Sequence, residues 1–166
     1  YTDWKLTIIS GFPAPDPLWG EVPSLQWLTC GSSDNPYELL NNAIKTIHAD
    51  WISWIQPGVC YPPQCLLTVG DYVNLDSDFK YIYTDTDHID SDAERVNPEF
   101  LPELNIDLLR STPYATKGAY LQRDALLQMG GFEQLPEGEV YDFLFKAIES
   151  WGEKSVGHIS DVLSHY

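Results

Sequence analysis

Basic residues are scarce in this chain. Nine lysines and arginines stand against 25 aspartates and glutamates in 166 residues, a formal charge of −16. A field of that sign repels a phosphate backbone and excludes nucleic acid as a partner. An anionic nucleotide would need a cation or backbone N–H groups to bind. Cysteine is also rare and odd in number: Cys30, Cys60 and Cys65 follow no zinc spacing and fit a reducing compartment better than a disulfide scaffold. No apolar run reaches the ~20 residues of a membrane helix, and no signal peptide opens the chain.

Several chemical signatures are missing as well. There is no Gly-x-Ser-x-Gly, no Walker motif and no dinucleotide fingerprint, which removes support for hydrolase, nucleoside-triphosphatase and dehydrogenase readings. The four histidines, His48, His88, His158 and His165, form no His-Glu-x-x-His pattern. His48 ends a helical stretch and reads as a partner for its C-terminal dipole. His158 and His165 read as structural hydrogen-bonding residues. There are no repeats and no low-complexity tract.

What is present is a globular composition. An apolar fraction of 43% and 13% aromatics exclude a disordered chain. The length suits a single domain over residues 1–166. Opening and closing on tyrosine, the chain reads as a domain cut from a longer polypeptide.

"KLTIIS" (5–10), "LQWLT" (25–29), "WISWI" (51–55) and "FKYIYTD" (79–85) read as buried strands. "PYELLNNAIKTIH" spaces Leu39, Leu40, Ala43, Ile44 and Ile47 along one helical face. Pro36 suits its first turn, and Ser33 or Asp34 could cap it. "PQCLLTVGDYV", "NIDLLRS" and "LQRDALLQMGGF" suggest short helices, the last stopped by Gly130 and Gly131. In "EVYDFLFKAIESWG", Val140, Phe143, Leu144, Ala147 and Ile148 form an apolar face, and Gly152 ends the run. "KSVGHISDVLSHY" reads as one or two short strands. Strands alternating with helices predict an α/β fold with a mainly parallel central sheet flanked by helices, the four strands being neighbours. Ligands in such sheets bind beyond the strands' carboxyl ends, where "TCGSSD", "QPGV" and "TDTDHID" fall.

The densest acidic stretch is "YIYTDTDHIDSD", with Asp85, Asp87, Asp90 and Asp92 inside eight residues. An EF-hand fails here, because Ile89 falls at the fifth position, Asp90 where glycine is needed and Val96 at the final glutamate. Two readings stay open. Asp85 and Asp87 could hold Mg²⁺ or Mn²⁺ through hard oxygen ligands, or the stretch could be a solvated acidic loop.

Together these segments resemble glycosyltransferase family 2, in particular enzymes of bacterial surface-polysaccharide synthesis. "KLTIIS" is similar to the family's first strand, and "GSSDNPYELLNNAI" to its Gly-Ser-x-Asp turn and Asn-containing helix. "ADWISWIQPGVCYPPQCL" resembles the strand that runs into the metal-binding aspartates. "YIYTDTDHIDSDAERVNPEFLPELNIDLLRS" is similar to a long stretch opening Tyr-Ser-Asp-Glu-Asp. "MGGFEQLPEGEVYDFLFKAIE" resembles the acceptor-side Gly-Gly-Phe and the catalytic helix, and "HISDVLSHY" the closing His-Ile-Pro-x-Val-Leu-Tyr-His. Six pieces in family order span nearly the whole chain.

The resemblance implies the nucleotide-diphospho-sugar transferase (GT-A) fold and a nucleotide-diphospho-sugar and a glycan acceptor as partners. It also implies Mn²⁺ or Mg²⁺ to neutralise the leaving diphosphate and a carboxylate to deprotonate the acceptor hydroxyl. Carried over residue by residue, it places Ser32, Asp34, Asp85, Asp87, Gly130, Gly131 and His165 around the cleft. Asp85 and Asp87 are then the candidate metal ligands, and Glu139 and Asp142 the candidate bases.

The chain departs from the family at critical places. Where the metal aspartates should follow "WISWI", it reads Gln56, Pro57, Gly58, Val59, and where the catalytic Asp should stand it has Val140. Thr29 and Cys30 replace acidic residues before the Gly-Ser-x-Asp turn, and the segment between the first two strands is short. The expectation is a weakened or inactive glycosyltransferase-like domain. In that setting Asp85 and Asp87 brace the cleft. The alternative is an active inverting transferase using Asp85, Asp87 and His165 with Glu139 or Asp142 as base. Either version implies a cytoplasmic protein, held at the inner face of the membrane through other domains of a larger polypeptide.

Overall fold

The computed structural model describes residues 3–135 and 137–166. Strands β1 (Leu6–Ser10) and β2 (Leu25–Thr29) form a parallel ribbon, with Leu6 opposite Leu25 and Ser10 opposite Thr29. Their connection holds only the 3-10 turn Pro17–Glu21, opened by Asp16, whose side chain accepts the Leu18 N–H. Pro13, Pro15 and Pro17 each remove a backbone donor, so an α-helix cannot form there.

Helix α1 (Pro36–Thr46) follows. Its cap is Asn35, one residue later than Ser33 or Asp34, because the Asn35 side chain accepts the Tyr37 N–H. Asp34 instead accepts the Gly31 N–H at 2.7 Å and closes the preceding turn. Then come β3 (Trp51–Ser53), α2 (Cys65–Val73), β4 (Tyr81–Ile89), β5 (Arg95–Glu99), α3 (Ile106–Ser111), β6 (Tyr120–Gln122), α4 (Arg123–Gln128), α5 (Glu139–Trp151) and β7 (Val156–His165).

The second sheet is built on β4. Along one edge β7 runs parallel, from Tyr81 opposite Val156 to Asp87 opposite His165. On the other edge β6 pairs antiparallel with Tyr81 and Ile82, and β5 antiparallel with Thr86–Ile89. β3 lies outside β6, also antiparallel. Alternation along β4 sends Tyr81 and Tyr83 to a core with Ile44, Leu126, Phe143 and Leu144, and Ile82 to a core with Cys65, Val69 and Leu163. Each such buried side chain contributes about 1.5–3 kcal/mol.

The α/β class with helices flanking a sheet is therefore present, but two finer expectations need correction. The four strands do not lie side by side: β1 and β2 form their own ribbon, while β3 and β4 belong to the larger sheet with β6 between them. Strand direction is also mixed, because three of the larger sheet's pairings are antiparallel. The reason lies in the connections. β4 and β5 are joined by a short hairpin, which forces them antiparallel, whereas a parallel pair needs a long crossover such as the one between β4 and β7. The acidic stretch is corrected too. Its first half is no loop, since β4 continues through Asp85 and Asp87 to Ile89 and buries both carboxylates, while Asp90 and Asp92 sit in the exposed turn that follows.

Candidate functional site

Asp85 and Asp87 sit two residues apart on β4 and thus share a face with Tyr83. The parallel pairing of β7 brings two histidines to them. The His158 Nε2–H donates to Asp85 Oδ1 at 2.9 Å, and its ring stacks on Tyr83 with centroids 4.6 Å apart. His165 donates from Nδ1 to Asp87 Oδ1 at 2.5 Å. Arg95 on β5 donates from Nε to Asp87 Oδ2 at 2.6 Å, and the Leu101 N–H donates to Asp85 Oδ1 at 2.9 Å. Each aspartate is only 3% exposed and each histidine 7%.

Carboxylates buried this deeply persist only when paired. Burial by itself would raise the Asp87 carboxyl, but the hydrogen bonds and charges of His165 and Arg95 outweigh it and hold the group below its ordinary range. His158 Nδ1 makes no hydrogen bond among the described residues; a Glu103 carboxylate oxygen lies 3.4 Å away, outside hydrogen-bonding geometry. Among the described residues, no group of three or more His, Cys, Asp or Glu is arranged to hold a metal ion.

The turn that stands where a metal motif is expected lies close by. Gln56, Pro57 and Gly58 are exposed, and the Val59 N–H donates back to the Gln56 carbonyl. Cys60, just beyond, exchanges both backbone hydrogen bonds with His165 at 2.9 Å each. The fold therefore gathers this turn, His165 and Asp87 in one place. Their sequence separation hides the arrangement from a linear reading.

A second group forms where α1 meets α5. Glu139 opens α5 at 7% exposure, and the Tyr37 hydroxyl donates to its Oε1. That hydrogen bond, with burial and the Glu139 charge, pushes the Tyr37 hydroxyl up to about 12. Val140 is 8% exposed and belongs to the core with Phe143 and Leu144. Asp142 accepts from Lys146 one turn later at 2.8 Å, and Lys146 also reaches Glu133. These two carboxylates, Asp142 first, hold the ammonium above its usual range. Asp142 also lines a cavity of about 500 Å³ with Leu135, Gly138, Tyr141 and Phe145.

Gly130 and Gly131 stop α4 as expected, and Gly131 does more. At φ +87° its missing Cβ would lie 2.4 Å from Asn41 Oδ1. Only glycine lets the Asn41 side chain reach the Phe132 backbone beyond it.

The site residues thus fall into separate groups. Asp85, Asp87 and His165 come together on β4 and β7. Glu139 is bound to α1 through Tyr37, and Gly131 lies against Asn41 of α1, whose amide binds the neighbouring Phe132 backbone. Ser32 and Asp34 stay exposed in the turn after β2. No hydrogen bond or ion pair among the described residues links Glu139 or Asp142 to Asp85 or Asp87. Sequence reasoning missed Arg95 and Tyr37, and it gave His158 no specific partner. No local signal marks these pairings, which span from 8 to 102 residues.

No family model matches the chain. The O-antigen biosynthesis protein RfbC of Myxococcus xanthus is 27% identical over 139 residues, covering 83% of this chain and 11% of that protein. An uncharacterised protein, y4gI, of Sinorhizobium fredii is 26% identical over 172 residues, 98% of this chain and 19% of that one. The chain thus spans less than a fifth of the curated relatives it matches. Among solved structures, S. aureus TarS 1–349 superposes with a TM-score of 0.71 at 13% identity, covering 99% of this chain and 51% of that chain. The same protein in complex with UDP gives a TM-score of 0.67 at 10% identity and the same coverage. At such identities the likeness defines architecture, and the chain has the fold of a GT-A-like glycosyltransferase domain.

Proposed function

We propose that this chain is a glycosyltransferase-like domain of surface-polysaccharide synthesis in which sugar transfer is weakened or lost, and the domain serves as a binding or scaffolding part of a larger polypeptide. The observation that carries the reading is Val140. The family resemblance requires a carboxylate there to take the acceptor's proton, and the chain instead buries an isopropyl group in its core. Glu139, one position away and about 100° around the helix, is bound by Tyr37. Asp142 is bound by Lys146. Loss of a positioned general base removes ~10²–10⁴-fold in rate.

The metal site supports the same reading. Gln56 and Gly58 offer no anionic ligand to Mn²⁺ or Mg²⁺. Asp85 and Asp87 would have to release His158, His165 and Arg95 before holding a cation, so their donor set fits a brace better than a metal site.

The ligand class that goes with this reading is a nucleotide-diphospho-sugar, supported by the TarS complex with UDP. RfbC's name supports O-antigen-type glycans as the setting. A cytoplasmic setting, near the membrane through neighbouring domains, belongs to the same proposal. Calorimetric titration of UDP and UDP-sugars with and without Mn²⁺ tests the proposal, followed by a donor screen read by mass spectrometry. Weak, metal-independent binding without turnover is expected. Metal-dependent turnover by the unmodified chain, lost in Glu139→Gln, would overturn it in favour of an active inverting transferase.

A further inference from the structure

Cys60 and His165 exchange both backbone hydrogen bonds, at 2.9 Å each, as a directly opposed antiparallel pair. Such a pair carries its two side chains on one face, with Cβ atoms about 5 Å apart. On the other flank of His165 lies Asp87, its register partner on β4. Three neighbouring backbone segments thus present Asp87, His165 and Cys60 in that order on one face.

An ionised carboxylate can only accept, so His165 carries its proton at Nδ1, donated to Asp87 Oδ1 at 2.5 Å. Nε2 is then the bare, basic nitrogen, and among the described residues it has no hydrogen-bond partner. The imidazole is only 7% exposed. Across the ring from Nδ1 runs the Cδ2–Nε2 edge, which the bond to β4 turns toward the Cys60 side.

The thiol on that side is free and exposed. Its Sγ lies 3.8 Å from the Gly58 carbonyl oxygen, a weak contact that a rotation about χ1 releases. Cys65 differs on both counts. It is buried, its Sγ lies 3.0 Å from Tyr120 Oη, and burial pushes its thiol up, the setting of an inert cysteine.

A carboxylate that fixes an imidazole's tautomer, beside an imidazole that takes a nucleophile's proton, is the arrangement that activates a thiol. We propose that Cys60 is a redox modification site, a thiol that His165 deprotonates for exchange with small-molecule disulfides while Asp87 holds the imidazole in place. His165 Nε2 takes the thiol proton, and the thiolate attacks one sulfur of the disulfide. A new S–S bond forms on Cys60 Sγ as the old one breaks. The electron pair leaves with the departing sulfur, which recovers the proton from the imidazolium. Cys60 is oxidised to a mixed disulfide, and the departing half is reduced to a thiol. The step needs no nucleotide or metal, so it stands apart from the function proposed above.

Hydroxyethyl disulfide, a neutral reagent on which the chain's charge of −16 exerts no pull, tests this at neutral pH on the 166-residue chain. Mass spectrometry maps the modified cysteines over time, and a free peptide of residues 58–62 supplies the reference rate for the same thiol. Cys60 should react about tenfold or more faster in the folded chain than in the peptide, with Cys65 unmodified. His165→Asn keeps a side-chain N–H for Asp87 but removes the basic nitrogen. It should bring Cys60 down to the peptide's rate and leave Cys30 unchanged, with an unaltered far-ultraviolet circular dichroism spectrum. A Cys60 no faster than the peptide overturns the inference, and this comparison decides it without any variant, even where His165→Asn does not fold. Acceleration that persists in a folded His165→Asn chain also overturns it, by removing the imidazole from the exchange.

Discussion

Asn41 in α1 grips the backbone of Phe132, 91 residues further on, with both ends of its amide. Nδ2 donates to the Phe132 carbonyl and Oδ1 accepts the Phe132 N–H, each at 2.9 Å. One side chain thereby satisfies two backbone groups in the loop beyond α4 and ties that loop to α1. Asn41→Ala should cost about 2–3 kcal/mol, since two hydrogen bonds are lost and two backbone groups go unpaired. Gly131→Ala should cost about 1–3 kcal/mol through its positive φ and the clash with Asn41. Urea unfolding of both variants measures this, and the double variant should fall short of the sum because the two residues share one contact.

The acidic pair on β4 gives a pH prediction. Asp87 titrates below its ordinary value in the folded chain, so the unfolded chain binds its proton first as pH falls. Its contribution to stability is therefore complete above the unfolded carboxyl value, ~4. It is lost as pH drops further, through the folded value. Glu99 is lowered in the same direction: burial opposes the shift, but Lys117 and His88 outweigh it. Thermal unfolding followed from pH 6 down to pH 2 should show a steep acid limb that becomes shallower in Asp87→Asn. At neutral pH, Asp87→Ala should cost about 1–3 kcal/mol, because it leaves the buried His165 Nδ1–H without its acceptor.

Metal binding separates a brace from a ligand set. With Asp85 and Asp87 engaged by His158, His165 and Arg95, Mn²⁺ should bind weakly, and Asp87→Asn should change that affinity little. Electron paramagnetic resonance of free Mn²⁺ against protein concentration reads this directly. Millimolar or tighter binding that vanishes in Asp87→Asn would show the carboxylates released to a cation.

On the proposed reading, adding one carboxylate at position 140 should not produce sugar transfer. Val140→Asp places a carboxylate at an 8% exposed position beside Glu139 and among Phe143 and Leu144. Stability should fall by about 3 kcal/mol from an unpaired buried charge, and no sugar transfer should appear, because Gln56 and Gly58 still provide no metal ligand. Calorimetric stability and a mass-spectrometric donor screen on the same sample check both halves. Turnover by Val140→Asp alone would mean that the metal motif is dispensable.

Much of the local structure was legible in the sequence by itself. Apolar spacing gave α1 and α5 with nearly their full extents, and short apolar runs located β1, β2, β3 and β4, because these signals arise between residues a few positions apart. The ordered motif series indicated the fold.

Tertiary structure decided the rest. Strand direction and the split into two sheets depend on which edges meet. That choice is made by packing across the whole chain and leaves no periodic trace. Asp85 and Asp87 show the same limit: one acidic pattern suits a solvated loop, a cation site or a buried brace. Only the parallel alignment of β7, which sets His158 and His165 against strand β4 more than 70 residues earlier, gives these carboxylates their hydrogen-bond partners. A carboxylate takes its character from the partners that burial gives it, and those partners are remote in sequence.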